Sequence, residues 1–287
     1  MGQTKTARDH PAATGNDGDA RPIGVFDSGI GGLTVVKALR NLLPQEQIVY
    51  LGDTARVPYG SRSPSTVERY SLEIANMLME RNAKVVVVAC NTVSSVALPK
   101  LEQNVPVDVV GVIRPGAEAA VNESRTGHIG VIGTRATIRS GAYERTLKSL
   151  KPSVQVISRA CPLLVPLIEE GLLHDPVTDQ MITRYVEPLL AEGIDTLVLG
   201  CTHYPLLMDA MRRQFGDNIA LVDSARNCAL AVKTLLEEKS LGATEGSTGG
   251  LQVALTDRPD NFLRVAEEAL QLNIGEIELR EVVHGAV

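Results

Sequence analysis

Two cysteines carry the first chemical signal in this sequence. Cys90 follows the apolar run of "VVVVACNTVSS", residues 85–95, and Cys201 follows that of "TLVLGCTHYP", residues 196–205. They lie 111 positions apart, and each is followed by polar residues: Asn91 and Thr92 after the first, Thr202 and His203 after the second. A strand that stops on a thiol where a helix begins offers backbone N–H groups that suit a carboxylate and favour a thiolate. Taken singly, such a cysteine is more often a buried structural residue. A lone His203 is equally compatible with a cap or a core position. The matched pair is what points to function, because two thiols at mirrored strand ends can approach one ligand from opposite sides. A free thiol has a pKa of about 8.5, so modest tuning makes either protonation state accessible near neutrality.

Other stretches are weaker alone. "FDSGIGGLTVV", residues 26–36, sets Asp27 and Ser28 at a strand end before a glycine-rich turn. A dinucleotide fingerprint needs glycine where Thr34 stands, and no P-loop Lys-Ser/Thr follows, so no nucleotide cofactor is expected. Asp27 is open between a turn cap and a functional carboxylate. In "DTARVPYGSRS", residues 53–63, Tyr59 and Gly60 read as a turn, or as backbone that touches a ligand. Glu169 and Glu170 in "CPLLVPLIEEG" read as a solvated helix end, with one of them available to a cleft. Cys161 and Cys228 read as core thiols and Asp223 as a cap. The four cysteines show no zinc-like spacing, and no metal is expected.

The elements that must position these residues follow from the pattern of apolar runs. Eight runs, "RPIGVFDS", "QIVYLGD", "KVVVVAC", "PVDVVGVI", "GHIGVIGT", "VQVISR", "DTLVLGC" and "IALVDS", alternate with helical stretches. Several are nearly continuous in Val, Ile and Leu, as strands covered on both faces require. In residues 63–82, Val67, Tyr70, Ile74, Met77 and Leu78 share a helical face, with Ser63 as cap and Pro64 as first helical residue. Asp175 and Pro176 open a similar helix that Gly193 closes. The alternation predicts an α/β fold with parallel sheets. "IGVFDSG" at Ile23 and "IGVIGT" at Ile129 are 106 positions apart, close to the 111 between the cysteines. Two landmarks in the same order with similar offsets point to two copies of one α/β unit. Ligands of open parallel sheets bind beyond the carboxyl ends of the strands, where both cysteines stand.

Composition limits the partners. Of 287 residues, 44% are hydrophobic and 22% charged, an ordinary globular balance, and with aromatics at 3% and no Trp the core must be aliphatic. A formal net charge of -6 argues against nucleic acid. No apolar run is long enough to span a bilayer. Residues 1–20 are polar, lack a signal-peptide core and read as a disordered tail. Their start fits a myristoylation pattern that nothing else supports. Reduced thiols in a cytoplasm are therefore expected.

The ordered set "FDSGIGG", "GDTARVPYG", "ACNT", "GTRATIRSGAY", "VPLIEEG" and "GCTHYP" closely resembles the glutamate racemase family of the aspartate/glutamate racemase superfamily, over roughly residues 21–280. The resemblance implies two similar parallel-sheet α/β domains in pseudo-symmetric arrangement with the active site in the cleft between them. The first would comprise residues 21–115 with 225–287, and the second residues 116–224. It implies a cofactor-independent racemase that interconverts L- and D-glutamate with two bases. It further implies D-glutamate supply for peptidoglycan, a cytoplasmic location and a homodimer. Cys90 and Cys201 become the acid/bases, with Asp27 assisting Cys90, and Glu169 and His203 assisting Cys201. Asp27, Ser28, Tyr59, Gly60, Asn91, Thr92, Thr134, Thr202 and His203 would bind substrate, with helix N-termini at Asn91 and Thr202 holding its carboxylates. The chain departs from the family at Arg114, where Glu is frequent, and at Val93 and Ser94, where Ala and Thr are more usual. Regulation by a cell-wall metabolite through the domain hinge is a further implication. Three other functions stay open: an aspartate or broad-specificity racemase, a Cys–His amidohydrolase using Cys201 with His203, and a non-catalytic amino-acid- or anion-binding protein.

Overall fold

All eight expected runs form strands: β1 (Ile23–Asp27), β2 (Ile48–Gly52), β3 (Val85–Val88), β4 (Asp108–Gly111), β5 (His128–Gly133), β6 (Gln155–Ala160), β7 (Thr196–Gly200) and β8 (Ala220–Asp223). Two further strands, β9 (Leu251–Leu255) and β10 (Ile277–Leu279), were not expected. The structure, a computed structural model, describes residues 18–244, 246–259 and 262–282. Its strands make a six-stranded sheet in the order β10-β9-β2-β1-β3-β4 and a four-stranded sheet in the order β6-β5-β7-β8. Every pairing is parallel. The segment β2-β1-β3-β4 has the same order as β6-β5-β7-β8, so β1 corresponds to β5 and β3 to β7. The repeat seen in the sequence is thus a repeat of topology.

Parallel neighbours need crossover connections, and helices supply them. They are α1 (Leu33–Leu42), α2 (Pro64–Glu80), α3 (Asn91–Val96), α4 (Leu98–Asn104), α5 (Ile113–Glu123) and α6 (Arg135–Ser140). These are followed by α7 (Ala142–Leu150), α8 (Leu164–Glu169), α9 (Pro176–Ala191), α10 (Met208–Phe215) and α11 (Ser224–Glu238). The Ser63 hydroxyl accepts from the Thr66 N–H and caps α2, with Pro64 at its first position. Asp175 caps α9 and Asp223 caps α11 in the same way. Helices cover both faces of each sheet. In the first half α1 and α11 pack on one face, while α2, α3 and α4 pack on the other. In the second half α5 and α7 lie on one face, with α8, α9 and α10 on the other. This two-sided cover is why the valines of β3 are buried without alternation.

The divisions expected at 115/116 and 224/225 fall in the first turns of α5 and α11, and these two helices pack on each other. From Ala225 onward, buried residues of α11, of β9 and of the stretch to Ile274 join the core of the six-stranded sheet. The tail expected over residues 1–20 lies outside the described residues as far as residue 17. Its last three residues depart from that expectation, because backbone bonds hold them. The Asp19 N–H donates to Gly242, and the Asp19 carbonyl accepts from Lys84.

Lys84 marks the amino-terminal edge of the six-stranded sheet. Its side chain is fully buried, with Nζ 2.6 Å from Oε2 of Glu46, itself 4% exposed. The other Glu46 oxygen accepts from the Ala243 N–H at 2.7 Å. One ion pair therefore ties together the segments before β1, β2 and β3 and the loop after α11. Removing one partner of a buried pair leaves an uncompensated charge, so Lys84→Met should cost about 3–5 kcal/mol in urea unfolding. The double variant Lys84→Met, Glu46→Leu should recover most of that loss; equal stability of parent and single variant would contradict the assignment.

Candidate active site

Because the strands of each sheet run parallel, their carboxyl ends open on the same side. The residues directly beyond those ends line one cavity of about 280 Å³, at the small end of the roughly 300–1,000 Å³ typical of ligand pockets. Ser28 and Gly29 follow β1, Val57 to Ser61 lie in the loop after β2, and Cys90, Asn91 and Thr92 follow β3. From the second half come Thr134 and Arg135 after β5, Cys161, Pro162, Val165, Pro166 and Glu169 after β6, and Cys201 to Tyr204 after β7. All the residues expected at the site line this cavity except Asp27, which is buried at the end of β1 beside it. Cys90 and Cys201 reach it from corresponding strands of different sheets.

The two thiols sit in different surroundings. Cys90 is buried, with Sγ 3.4 Å from the Ser28 hydroxyl. Burial and the nearby Asp27 carboxylate push its thiol up to about 12, against the Ser28 hydrogen bond and the Val93 N–H. Burial also raises Asp27, opposed by the charge of His203 and by N–H groups of the glycine turn. One Asp27 oxygen accepts from the Gly29 N–H at 3.0 Å; the other is buried with no hydrogen-bond partner among the described residues. Cys201 has instead an imidazole neighbour, with Sγ 3.8 Å from His203 Nδ1. His203 Nε2 lies 3.1 Å from Glu169 Oε1. Burial lowers the imidazole, but the contacts with Cys201 and Glu169 prevail and raise it to about 10.

Polar side chains close the seam between the halves and leave groups free for a ligand. The Tyr143 hydroxyl donates to Asn91 Oδ1 at 2.7 Å, and Asn91 Nδ2 is a buried donor with no hydrogen-bond partner among the described residues. Thr92, Thr134 and Thr137 form a cluster of hydroxyls within 3.4 Å of one another across the seam. The Tyr59 hydroxyl is bound by Asp53 and the Tyr59 carbonyl accepts from the Arg62 N–H, and both Tyr59 and Gly60 line the cavity. Thr34 donates to the Thr202 carbonyl at 3.0 Å. Gly31 lies so close that a Cβ there would fall 2.4 Å from His203 Nδ1 and from Thr202 Oγ1.

Two expectations need correction. No helix starts at Thr202: residues 201–203 form a turn, a short 3₁₀ helix begins at Tyr204, and α10 begins only at Met208. Pro205 and the burial of Tyr204, whose hydroxyl donates to the Cys161 carbonyl, hold the chain in this tighter course. Cys161 is a buried core thiol, as expected, but it also belongs to the cavity wall. Sequence reasoning missed Thr137 and Tyr143. The Thr134–Thr137 spacing of one helical turn was a usable signal for the first, whereas nothing local marks the second.

The Asp/Glu/Hydantoin racemase family profile matches residues 32–232. A glutamate racemase of Geobacter metallireducens is 48% identical over 257 residues, which cover 90% of this chain and 95% of the relative. Among solved structures, glutamate racemase isoform RacE1 of Bacillus anthracis superposes with a TM-score of 0.87 at 38% identity, covering 91% of this chain and 97% of that one. A Francisella tularensis glutamate racemase in complex with D-glutamate superposes with a TM-score of 0.85 at 35% identity, over 92% and 98% of the two chains.

The raised His203 value has a testable sign. An imidazole that titrates near 10 in the fold and near 6.5 when unfolded stabilises the fold fully below about pH 6.5. That contribution declines as pH rises towards 10. Urea unfolding across this range should show the decline in the parent and a weaker one in His203→Asn. Equal slopes would mean that the imidazole titrates normally.

Proposed function

The chain belongs to the Asp/Glu/Hydantoin racemase family, and from that premise we propose that it is an isomerase interconverting L- and D-glutamate through Cys90 and Cys201. The observation that carries the reading is the shared cavity, which both thiols enter from corresponding strand ends. Glutamate as substrate is supported by the activity named for the relatives above.

Racemisation removes the α-proton from one face and delivers a proton to the other. One thiolate takes the proton, the electron pair is left on the α-carbon and its carboxylate, and the opposite thiol protonates the second face. The reverse reaction exchanges the two roles. Burial keeps Cys90 protonated near neutrality, which suits it to donate first. To act as base it must lose that proton, and Asp27 is the neighbouring acceptor. A charged Asp27 opposes a thiolate at Cys90, so moving the proton onto Asp27 also removes the repulsion. On the other side His203, held as an imidazolium, can return a proton to Cys201 or offset negative charge as it develops. Glu169 orients that imidazole and balances its charge. Such proton transfer by positioned groups contributes typically 10²–10⁴-fold.

Asn91 Nδ2, the hydroxyls of Ser28, Thr92, Thr134 and Thr202, and the main chain at Tyr59 and Gly60 would hold the substrate's carboxylates and ammonium. Fixed donors of this kind favour the charge that builds up in the transition state. We take the halves as two domains, residues 21–115 with 225–287 and residues 116–224, whose approach closes the cleft. The same reading makes the protein a cytoplasmic homodimer that supplies D-glutamate for peptidoglycan. Among the described residues no helix is long and apolar enough to cross a membrane.

Cys90→Ser and Cys201→Ser should each slow racemisation by about 10²-fold or more, followed as solvent deuterium entering the α-carbon from either enantiomer. Parental rates in both variants would sink the two-thiol mechanism. Initial rates on glutamate should exceed those on aspartate; equal rates would make the enzyme a broad-specificity racemase.

A further inference from the structure

The segment after β9 returns to the core of the six-stranded sheet, yet one of its side chains reaches the opposite half. Phe262, Val265, Ala266 and Leu270 are buried among Leu33, Val36 and Ala229. Arg264, between them, extends to the end of α8, where its Nη2 donates to the main-chain carbonyl of Glu169. The guanidinium also lies against Gly171. A Cβ on that residue would fall 3.1 Å from Arg264 Cζ, and Gly171 has φ +77°, which disfavours a side chain independently.

The bond falls at a helix end, on the residue that meets His203. It is the last residue of α8, where carbonyl groups run out of helical partners and a cation is favoured. Its side chain is 34% exposed. Two residues on, the chain turns through Gly171. The carboxylate must nevertheless stay 3.1 Å from His203 Nε2 to orient the imidazole beside Cys201.

We propose that Arg264 is a positioning residue: by holding the main chain of Glu169 from the other half of the molecule, it keeps the Glu169 carboxylate on His203. This rests on the acid–base role proposed above for Glu169 and His203. It also makes the arrangement conditional on closure, because parting the halves withdraws the guanidinium.

A double-mutant cycle in the full-length protein tests it. Arg264→Met should lower kcat roughly tenfold to a hundredfold, the scale of misplacing a catalytic group by about 1 Å. Arg264→Lys, which keeps charge and stem but not the fork, should fall between it and the parent, and serves if the methionine variant does not fold. Glu169→Gln should also lower kcat, and Arg264→Met should add no further loss on that background. By NMR, the His203 imidazole should titrate lower in the Arg264 variants than in the parent, a change that a purely structural role for Arg264 would not produce. Losses that multiply in the double variant, or an unmoved His203 titration, overturn the role of Arg264. A parental kcat in Glu169→Gln overturns the role of Glu169 and this inference with it.

Discussion

A parallel strand buried on both faces has one convenient place for polar chemistry, its carboxyl end, where the chain leaves the core and turns into a helix or loop. Here that constraint operates twice, on two sheets with the same strand order. The sheets meet so that both sets of carboxyl ends share one cavity. Residues distant in sequence therefore converge without any long excursion of the chain. The opposite, amino-terminal edge of the six-stranded sheet carries the Lys84–Glu46 pair, whose role is to tie segments together.

The duplicated frame is symmetric but its electrostatics are not. Cys90 is accompanied by a buried carboxylate and a hydroxyl, and Cys201 by an imidazole held by Glu169. An anion nearby opposes a thiolate, while a cation favours one. Two strand ends of the same geometry therefore place their thiols in opposite electrostatic surroundings.

Beside the packing of α5 on α11, many small polar contacts cross the seam between the halves. Thr34 with Thr202, Thr92 with Thr134 and Thr137, Tyr143 with Asn91, and Arg264 with Glu169 all cross it. A hydrogen bond adds only about 0.5–1.5 kcal/mol net, with more where one partner is charged. Close approach at Gly31 adds a steric condition, since His203 and Thr202 occupy the space a side chain would take.

Much of this was legible in the sequence. Continuous aliphatic runs marked eight strands, Ser63-Pro64 and Asp175-Pro176 marked helix starts, and similar offsets revealed the duplication, because these signals are local. Strand β10 escaped notice because it is three residues long and mostly exposed, with no apolar pattern to betray it. The turn after Cys201 departed from the expected helix because Tyr204 is drawn into the core of the second half. Residue types and spacing thus determined the frame and named both thiols. Which groups sit beside each thiol, that Asn91 Oδ1 is taken by Tyr143, and that Arg264 reaches Glu169 were decided only by the tertiary structure. Those relations depend on how the two sheets meet, and no local pattern encodes a contact across 95 positions of chain.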